Sequence, residues 1–255
     1  MVSFDLTGKV AVITGANGGL GLDIAEGFAE YGADIAIVAR NREKAERAKE
    51  ILQDTYGRRT EIYLCDVRKT TDIRKTVSDV LRDFGKIDIL VNNSGIMTNA
   101  PEGPHSLSEE DWDKTMETNV KGYFFMASEV YKCWMKDHGG KIINVGSNGG
   151  ILGAPTTPAY NISKAAIPMM TNVMAMGWAK SHVMVNTLSP GVMEGGMSEF
   201  TPRERMENFA RKIPQNRCGN REDLKGAAIF LASDANTYCQ GANIVVDGGC
   251  VLPLD

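Results

Sequence analysis

The chain has 255 residues, 43% hydrophobic and 24% charged, the usual mixture for a globular protein able to bury the core of one large domain. Its net charge of -4 counts against nucleic acid or an anionic membrane as the main partner. No apolar run approaches the roughly 20 residues that span a bilayer, so no membrane partner is expected.

The amino-terminal MVSFDLTGKVAVITG passes straight into a strand pattern without a leader signature. Cys65, Cys133, Cys218, Cys239 and Cys250 are odd in number and form no CxxC pair, which fits free thiols in a reducing cytoplasm. His105, His138 and His182 show no paired ligand spacing, and no metal site is expected.

The first strand, VAVIT (10–14), runs into TGANGGLG and a helix over 18–31. Gly15, Gly19 and Gly21 give G-x-x-x-G-x-G, a wider first gap than G-x-G-x-x-G. The physical need is the same: a tight turn, backbone close to a pyrophosphate, and amides of a helix N-terminus aimed at negative charge. Glycines that merely make turns are the plain alternative, but the position after the first strand of an α/β chain favours a dinucleotide. The second strand, IAIVA (35–39), ends at Arg40 and Asn41, with Arg42 close by. An acidic residue there would bind ribose hydroxyls, whereas arginine accommodates a 2′-phosphate. Asp34 begins the strand, too far back to reach the ribose. NADP(H) is therefore preferred, with NAD(H) as the alternative.

A helix over 41–56 leads to TEIYLC (60–65) and Asp66, and a helix over 70–84 leads to IDILVN (87–92). Next come a long helix over 109–137 and KIINVG (141–146), which delivers Ser147. The helix over 158–180 carries Tyr160 and Lys164, and VMVNTL (183–188) ends in a connection, 189–212, without strong periodicity. A final helix over 220–232 precedes NIVVD (243–247). Strands apolar on both faces and separated by helices imply right-handed βαβ units. The expected fold is α/β: a single Rossmann-like, doubly wound parallel sheet of about seven strands in one domain over 1–255. A connection as long as 189–212 is more often functional than idle.

Tyr160 and Lys164 share one helix face. Tyr-x-x-x-Lys is common on solvated helices, but a nearby ammonium would also pull a phenol down from its usual pKa near ~10 toward useful acid–base chemistry. Ser147 would hydrogen-bond a carbonyl oxygen as charge develops on it. A serine hydrolase is excluded because VGSNG (145–149) places Val145 where G-x-S-x-G needs glycine, and no suitable histidine follows.

From LTGKVAVITG to IVVDGG the chain resembles the short-chain dehydrogenase/reductase family over essentially its full length. TGANGGLG resembles the cofactor loop, with Gly15, Asn17, Gly18, Gly19, Leu20 and Gly21 as the implied contacts. Asp66 in CDV resembles the adenine contact, with Val67 beside it. NNSG resembles the turn after strand four (Asn93, Ser94, Gly95), and SPG leads into the nicotinamide loop (Pro190, Gly191, Val192). Asn119, Ser147, Tyr160 and Lys164 fall on the family's catalytic positions; IPQNRCG and the terminal DGG match as well. The resemblance implies that Lys164 also holds the nicotinamide ribose and that Asn119 holds a water linking Lys164 to solvent. It further implies that YFFMASEVYKCWM (123–135) and PMMTNVMAMGWA (168–179) form core and the interface of a homotetramer or homodimer.

One departure is Gly195 where the family often carries a threonine that clamps the cofactor, with Glu194 beside it disfavouring an anion. The implied substrate walls are 96–105, 148–156 and 192–206, with Met193, Met197 and Met206 among them, and the implied lid is about 192–212. Arg203 and Arg205 are solvated lid charges or readers of a carboxylate. In wording the chain most resembles members acting on sugars, polyols and sugar acids, such as gluconate and sorbose reductases. The implied activity is NADP(H)-dependent interconversion of a ketone and a secondary alcohol on a small-molecule substrate. Reduction of 3-oxoacyl, steroid or xenobiotic ketones is the alternative, and a non-catalytic nucleotide-sensing protein is the alternative of another class.

Overall fold

Seven strands join one parallel sheet: β1 (Val10–Thr14), β2 (Asp34–Ala39), β3 (Thr60–Leu64), β4 (Ile89–Asn92), β5 (Gly140–Val145), β6 (Val183–Pro190) and β7 (Asn243–Val246). Their order is β3-β2-β1-β4-β5-β6-β7, with Val12 opposite Ala36 on one side and Leu90 on the other. The computed structural model describes residues 2–195 and 201–252. Strand order reverses between β1 and β4, and in open α/β sheets a ligand crevice forms at that switch point, beyond the carboxyl ends of the strands.

Alternation along each strand feeds two cores. Ala11, Ile13, Ile35, Ile37, Ile89 and Val91 pack with α1 (Gly19–Glu30), α2 (Arg42–Tyr56) and a late helix through Phe28, Leu52 and Leu224. Val12, Ala36, Val38, Leu90 and Ile142 face the other way, onto α3 (Thr70–Phe84) and the two long helices, through Val77, Met126 and Met174. Both faces of the sheet are thereby covered, which explains why the central strands are largely apolar on both sides.

The long helix α4 (109–138) runs as Glu109–Met116, Gly122–Val130 and Lys136–His138 joined by π-turns at Glu117–Lys121 and Tyr131–Met135. A continuous helix is what the sequence predicts; the π-turns are visible only in three dimensions. α5 (Pro158–Trp178) follows the β5 loop, and α7 (Arg221–Ala232) starts from a capping box between Asn220 and Asp223. Arg221 ties α7 to Asp23 of α1 at 2.8 Å.

The connection expected over 189–212 differs. β6 continues to Pro190, and a short helix, α6 (Arg203–Ala210), occupies its later half. α6 has eight residues, none of them buried, and its apolar positions Met206, Phe209 and Ala210 make only a brief stripe. Met197, one of the expected wall residues, lies outside the described residues. Among the described residues no helix is long and apolar enough to cross a membrane.

Candidate active site

A cleft of about 910 Å³ opens over the carboxyl ends of the strands, lined from Gly15 after β1 to Val192 after β6. That volume lies at the upper end of the ~300–1,000 Å³ usual for ligand sites.

Its floor begins with the glycine turn. Gly15 has φ +73° and Gly19 has φ +52°, both left-handed, so L side chains would be strained there. A methyl on Gly21 would lie 2.4 Å from the Gly15 carbonyl oxygen, so glycine lets α1 approach the strand end. Gly15, Asn17, Gly18, Gly19 and Leu20 line the cleft, and Gly21, expected with them, packs against the Gly15 carbonyl. The first turn of α1 has neither a side-chain cap nor an acidic residue. Its amides are left for an anion, as a pyrophosphate site requires. Thr14 locks this turn to the next: its Oγ1 accepts from the Asn93 and Ser94 amides at 2.9 and 3.0 Å, while Asn93 Nδ2 donates to the Thr14 carbonyl at 2.9 Å. Ser94 and Gly95 also line the cleft.

One end of the cleft holds Arg40, Asn41, Asp66 and Val67, the residues expected at a nucleotide's adenosine, and also Lys44, which was not singled out. Asn41 caps α2 by accepting from the Lys44 amide at 2.9 Å. Arg42 turns away to Glu46. Among the described residues neither Arg40 nor Lys44 has an ion-pair partner. Asp66 is gripped by Arg68 through bonds of 2.9 and 2.6 Å, which hold its carboxyl below the usual range. The glycine turn, the uncapped helix and this pair of cations fit a nicotinamide dinucleotide bearing a 2′-phosphate.

At the other end Ser147, Tyr160 and Lys164 all line the cleft. A methyl on Gly149 would touch both Ser147 Oγ (3.2 Å) and Tyr160 Cε1 (3.4 Å), so glycine lets the two converge. Lys164 is 4% exposed, and its Nζ donates to the Val145 carbonyl at 2.8 Å and to Tyr123 Oη at 3.4 Å. Burial pulls the Lys164 amine from its ordinary 10.5 down to about 7. Burial pushes the Tyr160 phenol up, partly offset by the Ser147 hydroxyl. The expected lowering of the tyrosine by the lysine is therefore not what the structure gives. The amine sits 5.9 Å from the Tyr160 ring centroid and is spent on a carbonyl, and desolvation disfavours both charged forms.

Asn119 sits in the first π-turn of α4, fully buried and not lining the cleft. Its Oδ1 accepts from the Ile96 amide, and its Nδ2 donates to the Ile96 carbonyl and to Ser163 Oγ, all within 3.0 Å. Its side chain is thus committed to clamping the loop after β4 against α5. Tyr123, buried beneath Lys164, was hidden in a stripe read as core and interface; no spacing signal marks it.

Each expected substrate wall contributes: Ile96, Met97 and Asn99 from the first, Asn148, Gly149, Ala154 and Thr156 from the second, Met193, Gly195, Thr201 and Arg205 from the third. His105, Arg203 and Met206 do not line it. Arg203 pairs with Glu207 at 3.0 Å on the outer face of α6. Gly195 has φ +79°, a conformation costly for a β-branched residue, which accounts for glycine in place of threonine. The strand exit is pinned by Glu194 N–H to the Gly219 carbonyl (2.8 Å) and Gly219 N–H to the Val192 carbonyl (3.0 Å).

Against known proteins, residues 15–251 match the adh_short_C2 family model, described as enoyl-(acyl carrier protein) reductase. The chain is 35% identical to an NADP-dependent mannitol dehydrogenase of Alternaria alternata, over 97% of this chain and 94% of that protein. It is 38% identical to an NAD-dependent glycerol dehydrogenase of Listeria innocua, over 98% and 96%. A gluconate 5-dehydrogenase from Burkholderia cenocepacia, solved in complex with NADP and tartrate, superposes with a TM-score of 0.92 at 34% identity, covering 99% of each chain.

Proposed function

The chain belongs to the short-chain dehydrogenase/reductase family, and from that premise we propose that it interconverts a ketone and a secondary alcohol on a sugar, polyol or sugar acid, with NADP(H) preferred over NAD(H). The observation that carries the reading is one cleft with two chemically distinct ends. One end has free helix amides with Arg40 and Lys44, and the other has Ser147, Tyr160 and Lys164. The relatives' sugar-type substrates and the NADP of the solved neighbour support it.

The nicotinamide, when bound, supplies or takes up the hydride. The protein's own groups manage the substrate oxygen. Ser147 Oγ donates a hydrogen bond to it as negative charge builds. Tyr160 Oη gives the proton in reduction and removes it in oxidation. Lys164, in its protonated form, favours the phenolate and holds ribose hydroxyls. Asn119 keeps the β4 loop and α5 in register beneath them.

The same reading extends to assembly in a cytoplasmic setting. Trp112, Phe124 and Phe125 on α4 and Met169, Val173 and Met176 on α5 are exposed apolar side chains, and burying them between copies gives a homotetramer. Light scattering that returns a monomer removes this part.

The test of function is NADPH oxidation by purified protein with ketoses, keto sugar acids, a 3-oxoacyl thioester and a steroid ketone. Turnover confined to the last two refutes the substrate class. Tight NADPH binding with no turnover of any ketone replaces the enzyme reading with nucleotide sensing.

A further inference from the structure

Among the described residues, five charged side chains line the cleft: Arg40, Lys44, Asp66, Lys164 and Arg205. Three belong to the adenosine end and Lys164 lies under the reacting centre. Arg205 stands alone on the substrate side, projecting from α6 at the rim.

The neighbouring arginines are engaged: Arg203 with Glu207, Arg211 with Asn208, Arg217 with Asp223. Arg205 has no ion pair among the described residues. Its guanidinium lies over the Phe209 ring, 5.6 Å from the centroid, and Phe209 lines the cleft too. A guanidinium in cation–π contact still keeps N–H donors for a planar, bidentate acceptor. Among the described residues no Asp or Glu lines the cleft at this end; Glu194, beside Gly195, is not part of the lining. The other polar groups, Asn99, Thr156, Asn161 and Thr201, are neutral amides and hydroxyls suited to sugar hydroxyls. The chain as a whole carries -4, so a lone cation here does not follow from its general charge.

We propose that Arg205 recognises a carboxylate on the substrate, so that among sugar-type compounds the site prefers sugar acids to neutral sugars and polyols. This rests on the reductase reading above and names its substrate class.

D-gluconate and D-sorbitol test it, because they share a six-carbon hydroxylated chain and differ by a carboxylate in place of a hydroxymethyl group. Their binding to the protein saturated with NADP+ is measured by calorimetry for wild type, Arg205→Met and Arg205→Lys. Gluconate should bind at least about tenfold more tightly, and that ratio should collapse toward one in Arg205→Met. Arg205→Lys should keep part of it, as a cation without the fork, and added salt should erode it in wild type. Equal affinities in wild type, a ratio that survives in Arg205→Met, or no gluconate binding overturns the proposal. So does weakened NADP+ binding in Arg205→Met with the gluconate ratio intact, since Arg205 would then be reading a cofactor phosphate. α6 buries no residue, so both variants should fold, which circular dichroism checks. Turnover of D-sorbitol without a gluconate preference leaves the reductase reading standing and removes only this proposal. Gluconate preference without turnover of any ketone does the reverse.

Discussion

Replacing Lys164 with methionine isolates the energetic consequence of burying an amine with no acid partner. The side chain is 4% exposed, makes no ion pair among the described residues, and reaches only the Val145 carbonyl and the Tyr123 hydroxyl. Its amine titrates at about 7 instead of 10.5 because burial disfavours the charge. Between those values the unfolded chain holds a proton that the folded protein has released. This contribution to stability therefore rises with pH through that window and is flat below it. At about 1.4 kcal/mol per pH unit the whole window amounts to roughly 5 kcal/mol, and the part between about pH 6.5 and 9 to roughly 2.5 kcal/mol. Lys164→Met keeps the volume and removes the titration, and Tyr123 Oη still donates to the Val145 carbonyl at 3.3 Å, so no orphaned acceptor remains. Urea unfolding followed by tryptophan fluorescence, at fixed protein concentration and without nucleotide, gives both stabilities. The variant should hold its largest advantage over wild type near pH 6.5 and lose roughly 2.5 kcal/mol of it by pH 9. An advantage constant in pH would mean that the amine stays charged in the folded protein, and the burial argument would fail.

Tyr160→Phe should retain NADPH binding and lower kcat at least about a hundredfold, the scale of lost acid–base help; steady-state rates within tenfold of wild type would remove the phenol from the chemistry. Arg40→Asp should reverse cofactor choice: wild type favours NADPH by at least about tenfold in kcat/KM, and the variant favours NADH, since charge-assisted phosphate bonds are each worth about 1.5–3 kcal/mol. An unchanged ratio would assign the phosphate to Lys44 or to neither. Tyr123→Phe removes an acceptor from the Lys164 ammonium, so the amine should titrate lower. The onset of the pH-dependent rise in stability should then move to lower pH in the same urea assay, and an unmoved onset would show that Tyr123 only fills space.

The sheet was readable because its strands are buried on both faces. VAVI (10–13) and IAIVA (35–39) are apolar without interruption, and each strand was located to within about two residues. Tyr160 and Lys164 were readable because helical spacing is local. Most of the departures lie where local pattern carries no information. Nothing in ETNVK signals a π-turn, yet that turn places Asn119 against Ile96 and Ser163. α6 is short and wholly unburied, and its spacing of Met206, Phe209, Ala210 and Ile213 was a helical signal that the reading of 189–212 as one connection passed over. The sign of the tyrosine shift was missed because it depends on how far each group is desolvated, a property of the folded cleft and not of spacing. Gly195 looked like a lost hydroxyl, whereas a φ of +79° makes it a backbone requirement.

Those shifts bear directly on how the pair works. Tyr160 is pushed up and Lys164 down by the same burial, so each alone favours its neutral form. A neutral phenol is already the proton donor that reduction of a ketone needs, and no charge has to be created beforehand. Oxidation of an alcohol needs a phenolate, which costs most in a site where the amine is also uncharged. An ammonium and a phenolate stabilise one another, so charging either makes charging the other easier. Bringing the Lys164 amine from the Val145 carbonyl toward the Tyr160 oxygen would strengthen that coupling. Tyr123 stands at the carbonyl end of this path, holding the amine 5.9 Å from the Tyr160 ring centroid. On the proposed mechanism, what restrains Lys164 is therefore as much a part of the acid–base apparatus as the tyrosine that transfers the proton.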